Sequence, residues 1–180
     1  MKYFPQEIND LFLITPDLHQ DDRGVFRRSF CEKEFKEYGI DFGVKQGNIS
    51  ENYKKHTIRG FHYQVAPSHE SKIISCVTGS IHNVVLDLRK SSTTYKKWLG
   101  LDISATKRES IYVPAGCANA FLTMQDNTIV HYYMSDSFRP DTYRGIRYND
   151  PAFSITWPHK PKVISSKDLN FPDFKEFIDE

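Results

Sequence analysis

Ser80-Ile-His-Asn-Val-Val-Leu-Asp-Leu-Arg89 alternates, with His82, Val84, Leu86 and Leu88 on one face and Ile81, Asn83, Val85 and Asp87 on the other. A period of two belongs to an extended strand, whereas a helix repeats its faces every 3.6 residues. The run at 128–134 has the same period, setting Val130, Tyr132 and Met134 against Ile129, His131 and Tyr133. Working outward, strand-like runs recur at 11–15, 24–30, 59–64, 72–78, 98–104, 110–113 and 121–124. Turn signals separate them: Asp21-Asp-Arg-Gly24, Thr78-Gly79, Pro114-Ala-Gly116 and Gln125-Asp-Asn127. Helical periodicity is confined to 31–38, with a shorter stretch near 174–178. Many short strands between regular turns predict an all-β sandwich or barrel. No helix follows each strand, so a parallel βαβ arrangement is disfavoured.

The chain of 180 residues fits one domain, 1–180, with no internal repeat or linker. Its 24 Lys+Arg against 23 Asp+Glu leave a net charge of +1, so composition makes no case for nucleic acid or an anionic membrane as partner. Thirteen Phe and ten Tyr supply a core rather than a disordered chain. No apolar run approaches the roughly 18 residues of a membrane helix. The start, MKYFPQEIND, lacks the apolar stretch of a signal peptide. Cys31, Cys76 and Cys117 are odd in number and form no CxxC, which favours the reduced cytoplasm over a disulfide scaffold or a cysteine zinc site.

The first candidate for chemistry is Arg59-Gly-Phe-His-Tyr-Gln64, because His62 is the residue type suited to general base work near neutral pH. In an unbroken strand Arg59 and His62 face opposite sides. Both enter one cavity only if the strand bulges near Gly60. In Pro114-Ala-Gly-Cys-Ala-Asn-Ala-Phe121 the proline and then glycine between two strands read first as a turn, and with the Gly-x-His segment upstream the stretch resembles the two halves of the cupin signature. Metal-binding cupins place HxH and a glutamate in the first half and a histidine in the second; here Gln64 and Asn119 occupy two of those positions. One remaining ligand makes a tight transition-metal site improbable, so chemistry without metal is expected. His19, His56, His69 and His159 read as surface or loop residues. Of Tyr132 and Tyr133, alternation sends one inward. There is no GxSxG, GxGxxG or Walker A pattern, so serine hydrolysis, dinucleotide binding and P-loop chemistry fall away.

Taken together, nine segments occur in order: Asp22-Arg-Gly-Val-Phe26, Gln46-Gly-Asn-Ile-Ser50, Ile58-Arg-Gly-Phe-His-Tyr-Gln64, Glu70-Ser-Lys72, Val84-Val-Leu-Asp-Leu-Arg89, Pro114-Ala-Gly116, Gly145-Ile-Arg-Tyr-Asn-Asp-Pro151, Trp157-Pro158 and Ser166-Lys-Asp168. They closely resemble the dTDP-4-dehydrorhamnose 3,5-epimerase family across nearly the whole chain. The resemblance implies a double-stranded β-helix (a cupin-like jelly roll), a homodimer, and epimerisation of a nucleotide-diphosphate sugar without metal or cofactor. By position it implies that His62 is the base beside the C4 ketone and that Asp168 pairs with it. Lys72 faces the C4 oxygen, and Tyr132 is the acid on the opposite face. Arg23 and Arg59 then match contacts to the diphosphate or sugar, and Gln46, Asn48 and Lys167 match further contacts.

Three positions of the binding shell depart from the family. Arg28 stands where Glu is usual, Asn119-Ala120 where His-Gly is usual, and Tyr143 where Glu is usual. Exchanging Glu for Arg replaces acceptors by donors, so a thymine N–H would not be read in the same way. The expected function is therefore inversion at C3, C5 or both carbons of a 4-keto-6-deoxyhexose of the dTDP type. CDP- or GDP-linked substrates and a single-carbon epimerase are the alternatives within the class. A ketoisomerase and a non-catalytic sugar-binding cupin stand outside it. The joint presence of His62, Lys72, Tyr132 and Asp168 favours catalysis, since a pure binder needs no opposed acid and base.

Overall fold

The structure is a computed structural model and describes residues 1–175. Its elements are β1 (Lys2–Pro5), β2 (Phe12–Thr15), β3 (Leu18–Asp21), β4 (Gly24–Arg27), α1 (Glu32–Glu37), β5 (Gln46–Asn52), β6 (Ile58–Gln64) and β7 (Lys72–Thr78). They continue as β8 (Ser80–Asp87), β9 (Trp98–Ser104), β10 (Ser110–Val113), β11 (Cys117–Thr123), β12 (Thr128–Met134), β13 (Tyr143–Gly145) and α2 (Ser166–Leu169). Two antiparallel sheets carry the fold. One runs β1-β2-β10-β7-β12-β5 and the other β13-β6-β11-β8-β9. This is the all-β arrangement that the strand pattern predicts, in the cupin-like jelly-roll form that the family resemblance implies.

The inner faces of the two sheets meet over Ile74, Ile81, Val85, Ile103, Ile111, Phe121 and Val130, all buried. Each sheet is also covered on its outer side. Phe30, Phe35, Ile40 and Phe42, from and around α1, close over Tyr3, Ile73 and Tyr112 of the larger sheet. Ile146, Phe153 and Trp157 close over Phe61, Val84, Leu86, Ala118 and Ala120 of the smaller one. Double covering explains why β11 is buried at every position and why both faces of β8 are largely buried.

Several sequence expectations are corrected here. β11 begins at Cys117, four residues ahead of the strand expected at 121–124. Its small side chains, Ala118 and Ala120, fit beneath the outer cover, and the turn is limited to Pro114–Gly116. The strand expected at 24–30 stops at Arg27, because β4 pairs only with β3. Lys167 and Asp168 lie in a short helix rather than a loop, and the side chain of Ser165 caps it by accepting from the Asp168 amide. β1, β3, β5 and β13 carry no strong periodic signal and take their strand form from their pairing partners. The helical stretch expected at 174–178 lies mostly outside the described residues. Among the described residues, no helix is long and apolar enough to cross a membrane.

Candidate active site

The two sheets diverge at one end around a cavity of about 470 Å³, lined by Gln46, Asn48, Arg59, His62, Lys72, Asn119, Tyr132, Tyr143 and Lys167 among others. That volume suits a small-molecule ligand. Strand register dictates the wall contributed by the larger sheet. Gln46, Met134 and Lys72 stand in one row across β5, β12 and β7, and Asn48, Tyr132 and Ile74 stand in the next row on the same face. Because the side-chain period is two, all six point into the cavity.

On the facing sheet, β6 bulges as its sequence requires. Asn119 pairs with His62 and Phe121 with Arg59, so three steps on β6 oppose two on β11. The extra residue brings Arg59 and His62 into the same cavity while Phe61 stays in the outer core. Gly60 sits there at φ +110°, and a Cβ on it would lie 2.5 Å from the Asn119 carbonyl oxygen. No side chain fits at that position.

Asp168 is carried to β6 by α2, and the segment before the helix is docked by the parallel bridge Thr57↔Val163. Its Oδ1 lies 2.8 Å from His62 Nε2, and its Oδ2 accepts the Gly60 amide at 3.1 Å. Burial alone would raise the Asp168 carboxyl. The His62 bond and charge, the Gly60 amide and Ser165 outweigh it and hold the group below the ordinary carboxylate value. An ionised Asp168 keeps the proton on Nε2 and leaves Nδ1 as the basic atom of His62.

Across the cavity, Lys72 Nζ is 2.5 Å from Glu70 Oε1 and 3.4 Å from the His62 carbonyl oxygen. The Tyr132 phenol is pushed above its usual value by burial and then by the negative charge of Glu70, so it keeps its proton at neutral pH. Burial, followed by the charge of Asp168, raises Tyr143 as well. The Tyr143 ring lies 5.4 Å from that of His62 and carries Lys167 Nζ 3.9 Å from its centre. Gln46 Nε2 donates to Asn48 Oδ1, and Arg59 Nε donates to Asn52 Oδ1. The amide of Asn119 is turned into the sheet, donating to Asn83 Oδ1 at 2.6 Å and to the Val84 carbonyl.

Two of the expected binding residues are not brought here. Arg23 lies on the β3–β4 hairpin with its side chain 90% exposed and paired to Asp21. Arg28 is bound to Glu34 beside the N-terminal amine, outside the cavity. The ion pair holds its reversed charge outside this chain's own cavity. In the other direction, Glu70 and Phe138 line the cavity and Gln64 backs Glu70, and the sequence gives none of the three a role. The Glu-x-Lys spacing of Glu70 and Lys72 is a legible signal, since i and i+2 share a side in extended chain. Among the described residues, no group of three or more His, Cys, Asp or Glu is placed to hold a metal ion.

Comparison with known proteins gives matches over nearly the whole chain. The family model described as dTDP-4-dehydrorhamnose 3,5-epimerase matches residues 5–176. A dTDP-4-dehydrorhamnose 3,5-epimerase of Shigella flexneri is 34% identical, the match covering 99% of this chain and 100% of that protein. The crystal structure of a dTDP-4-dehydrorhamnose 3,5-epimerase from Bacillus anthracis, with TDP and PPi bound, superposes with a TM-score of 0.92 at 35% identity, over 96% of this chain and 99% of that one. A 3'-monoepimerase from Streptomyces bikiniensis in complex with dTDP-quinovose superposes at 0.87 with 30% identity, over 94% and 86% of the two chains.

Proposed function

Because the chain belongs to the dTDP-4-dehydrorhamnose 3,5-epimerase family, we propose that it inverts C3 and C5 of a dTDP-linked 4-keto-6-deoxyhexose by proton transfer across this cavity. The observation that carries the reading is His62 of one sheet, paired with Asp168 of α2, facing Tyr132 and Lys72 of the other sheet. His62 Nδ1 takes the proton beside the ketone. The electron pair left on carbon moves into the C4 carbonyl, and the resulting enolate oxygen is stabilised by the Lys72 ammonium. Tyr132 then returns a proton from the opposite side. Asp168 holds the ring and stabilises the imidazolium until solvent removes the proton and Tyr132 is reprotonated. No electrons leave the substrate, so the step needs no redox partner.

Arg59 and Lys167 supply cations at the cavity for the diphosphate, and a guanidinium fork suits phosphate oxygens. A test offers dTDP-, CDP- and GDP-linked 4-keto-6-deoxyglucose in D2O and follows the C3 and C5 protons by NMR. Loss of both signals with the dTDP sugar alone is expected. Loss of one signal makes this a single-carbon enzyme, and exchange with another nucleotide alone replaces the substrate.

The working unit we propose is a homodimer in the cytoplasm. Among the described residues the β3–β4 hairpin pairs with no other strand, and it exposes Leu18, Val25 and Phe26, the last 73% exposed. A patch of that kind at an unpaired hairpin marks an interaction surface. A second copy seated there would cover it and give Arg23 a cavity to serve. Sedimentation is expected to show twice the 21.0 kDa chain mass, whereas a monomer at micromolar concentration would overturn the dimer.

A further inference from the structure

We propose that Glu70 is a positioning residue for the reaction, holding the Lys72 ammonium at a single point in the cavity so that one N–H remains aimed at the developing enolate oxygen. The role rests on the epimerase reading above. The side chains of Glu70 and Lys72 are 4% and 12% exposed, and their charged atoms are 2.5 Å apart. A lysine ends in three donors on a flexible four-carbon stem. Glu70 Oε1 and the His62 carbonyl oxygen take two of those donors, which leaves one for substrate and removes the freedom of the stem.

Glu70 is itself fixed. Its Oε2 accepts from Gln64 Nε2. The other end of that amide, Oε1, accepts the Arg139 amide at 2.8 Å and the Thr142 hydroxyl at 2.9 Å, while Nε2 also reaches the Ser137 carbonyl. The Lys72 ammonium is thus tied through Glu70 and Gln64 to the 137–142 segment, whose Phe138 ring packs edge-on against Tyr143 in the cavity wall. A carboxylate beside a catalytic cation also offsets part of its charge. The arrangement is useful only if holding the ammonium in place outweighs that loss, and this makes the proposal testable.

The experiment measures deuterium incorporation into dTDP-4-keto-6-deoxyglucose, together with dTDP binding, for Glu70→Gln in the unsubstituted chain and in a Lys72→Ala background. Glu70→Gln is expected to lower kcat for exchange about 10–100-fold, as loss of a preorganised electrostatic contact does, with KM and the Kd for dTDP held within about threefold. In the Lys72→Ala background it should cause no further loss, because residues acting through one another are not additive. An unchanged or raised kcat overturns the role, as does an equal fold-loss in both backgrounds. Loss of dTDP binding in step with kcat would make Glu70 merely structural. If Glu70→Gln does not fold, Glu70→Asp carries the test. It keeps the charge but withdraws the carboxylate by one methylene, so undiminished exchange in it overturns the proposal. No exchange by the unsubstituted chain would overturn the epimerase reaction itself and this role with it.

Discussion

His62→Asn is expected to reduce solvent exchange at the substrate's C3 and C5 by about a thousandfold or more, which is roughly 4 kcal/mol of transition-state stabilisation, while the variant still folds and binds dTDP. The size of the loss follows from the lack of a substitute base in the cavity. Glu70 is engaged by Lys72 and Gln64. The phenols of Tyr132 and Tyr143 are raised and remain protonated. Glu51 borders the cavity, but it belongs to the exposed set of β5, where 47, 49 and 51 are exposed and 46, 48 and 50 are not. Proton NMR in D2O reads the result, and thermal unfolding controls for folding. Exchange at an ordinary rate in this variant would remove the base assignment.

Tyr132→Phe separates the two halves of the reaction. The phenylalanine ring keeps the packing against the inner core that Tyr132 makes and deletes only the proton donor. Deprotonation by His62 persists, so exchange should fall by less than about tenfold, whereas net inversion should fall by about a hundredfold or more. Chiral analysis of the product alongside the deuterium count distinguishes them. Equal losses in both would mean that Tyr132 is not a dedicated acid.

The residues of the site were legible to different degrees, and the differences have physical causes. His62, Lys72 and Tyr132 lie in segments whose strand form is evident, so register alone brings them to facing walls. The joint entry of Arg59 and His62 into one cavity required a bulge, and the glycine between them was the local sign of it. Asp168 is 106 residues from His62 along the chain. Nothing near either residue announces the pairing, which the docking of α2 on β6 produces. Comparison with the family pattern singled out positions 23 and 28, but Arg23 lies on the β3–β4 hairpin and Arg28 is paired to Glu34, both outside this chain's own cavity. Glu70 was missed because a carboxylate two residues from a lysine reads as a surface ion pair until burial is known.

Local sequence by itself determined which segments are strands wherever a period of two ran between clear turn residues. β7, β9, β10 and β12 begin and end where 72–78, 98–104, 110–113 and 128–134 are expected to. Only the tertiary structure decided the status of polar Gln46–Asn52, which is a strand because β12 offers it a ladder of partners. It also decided that both faces of Ser80–Asp87 are largely buried, since the residues that cover its outer face come from 146–157. Hydrophobic period and turn chemistry are properties of neighbouring residues and can be read along a chain. Strand partners, outer cover and the meeting of His62 with Asp168 depend on contacts between distant segments, and those exist only once the whole domain has closed.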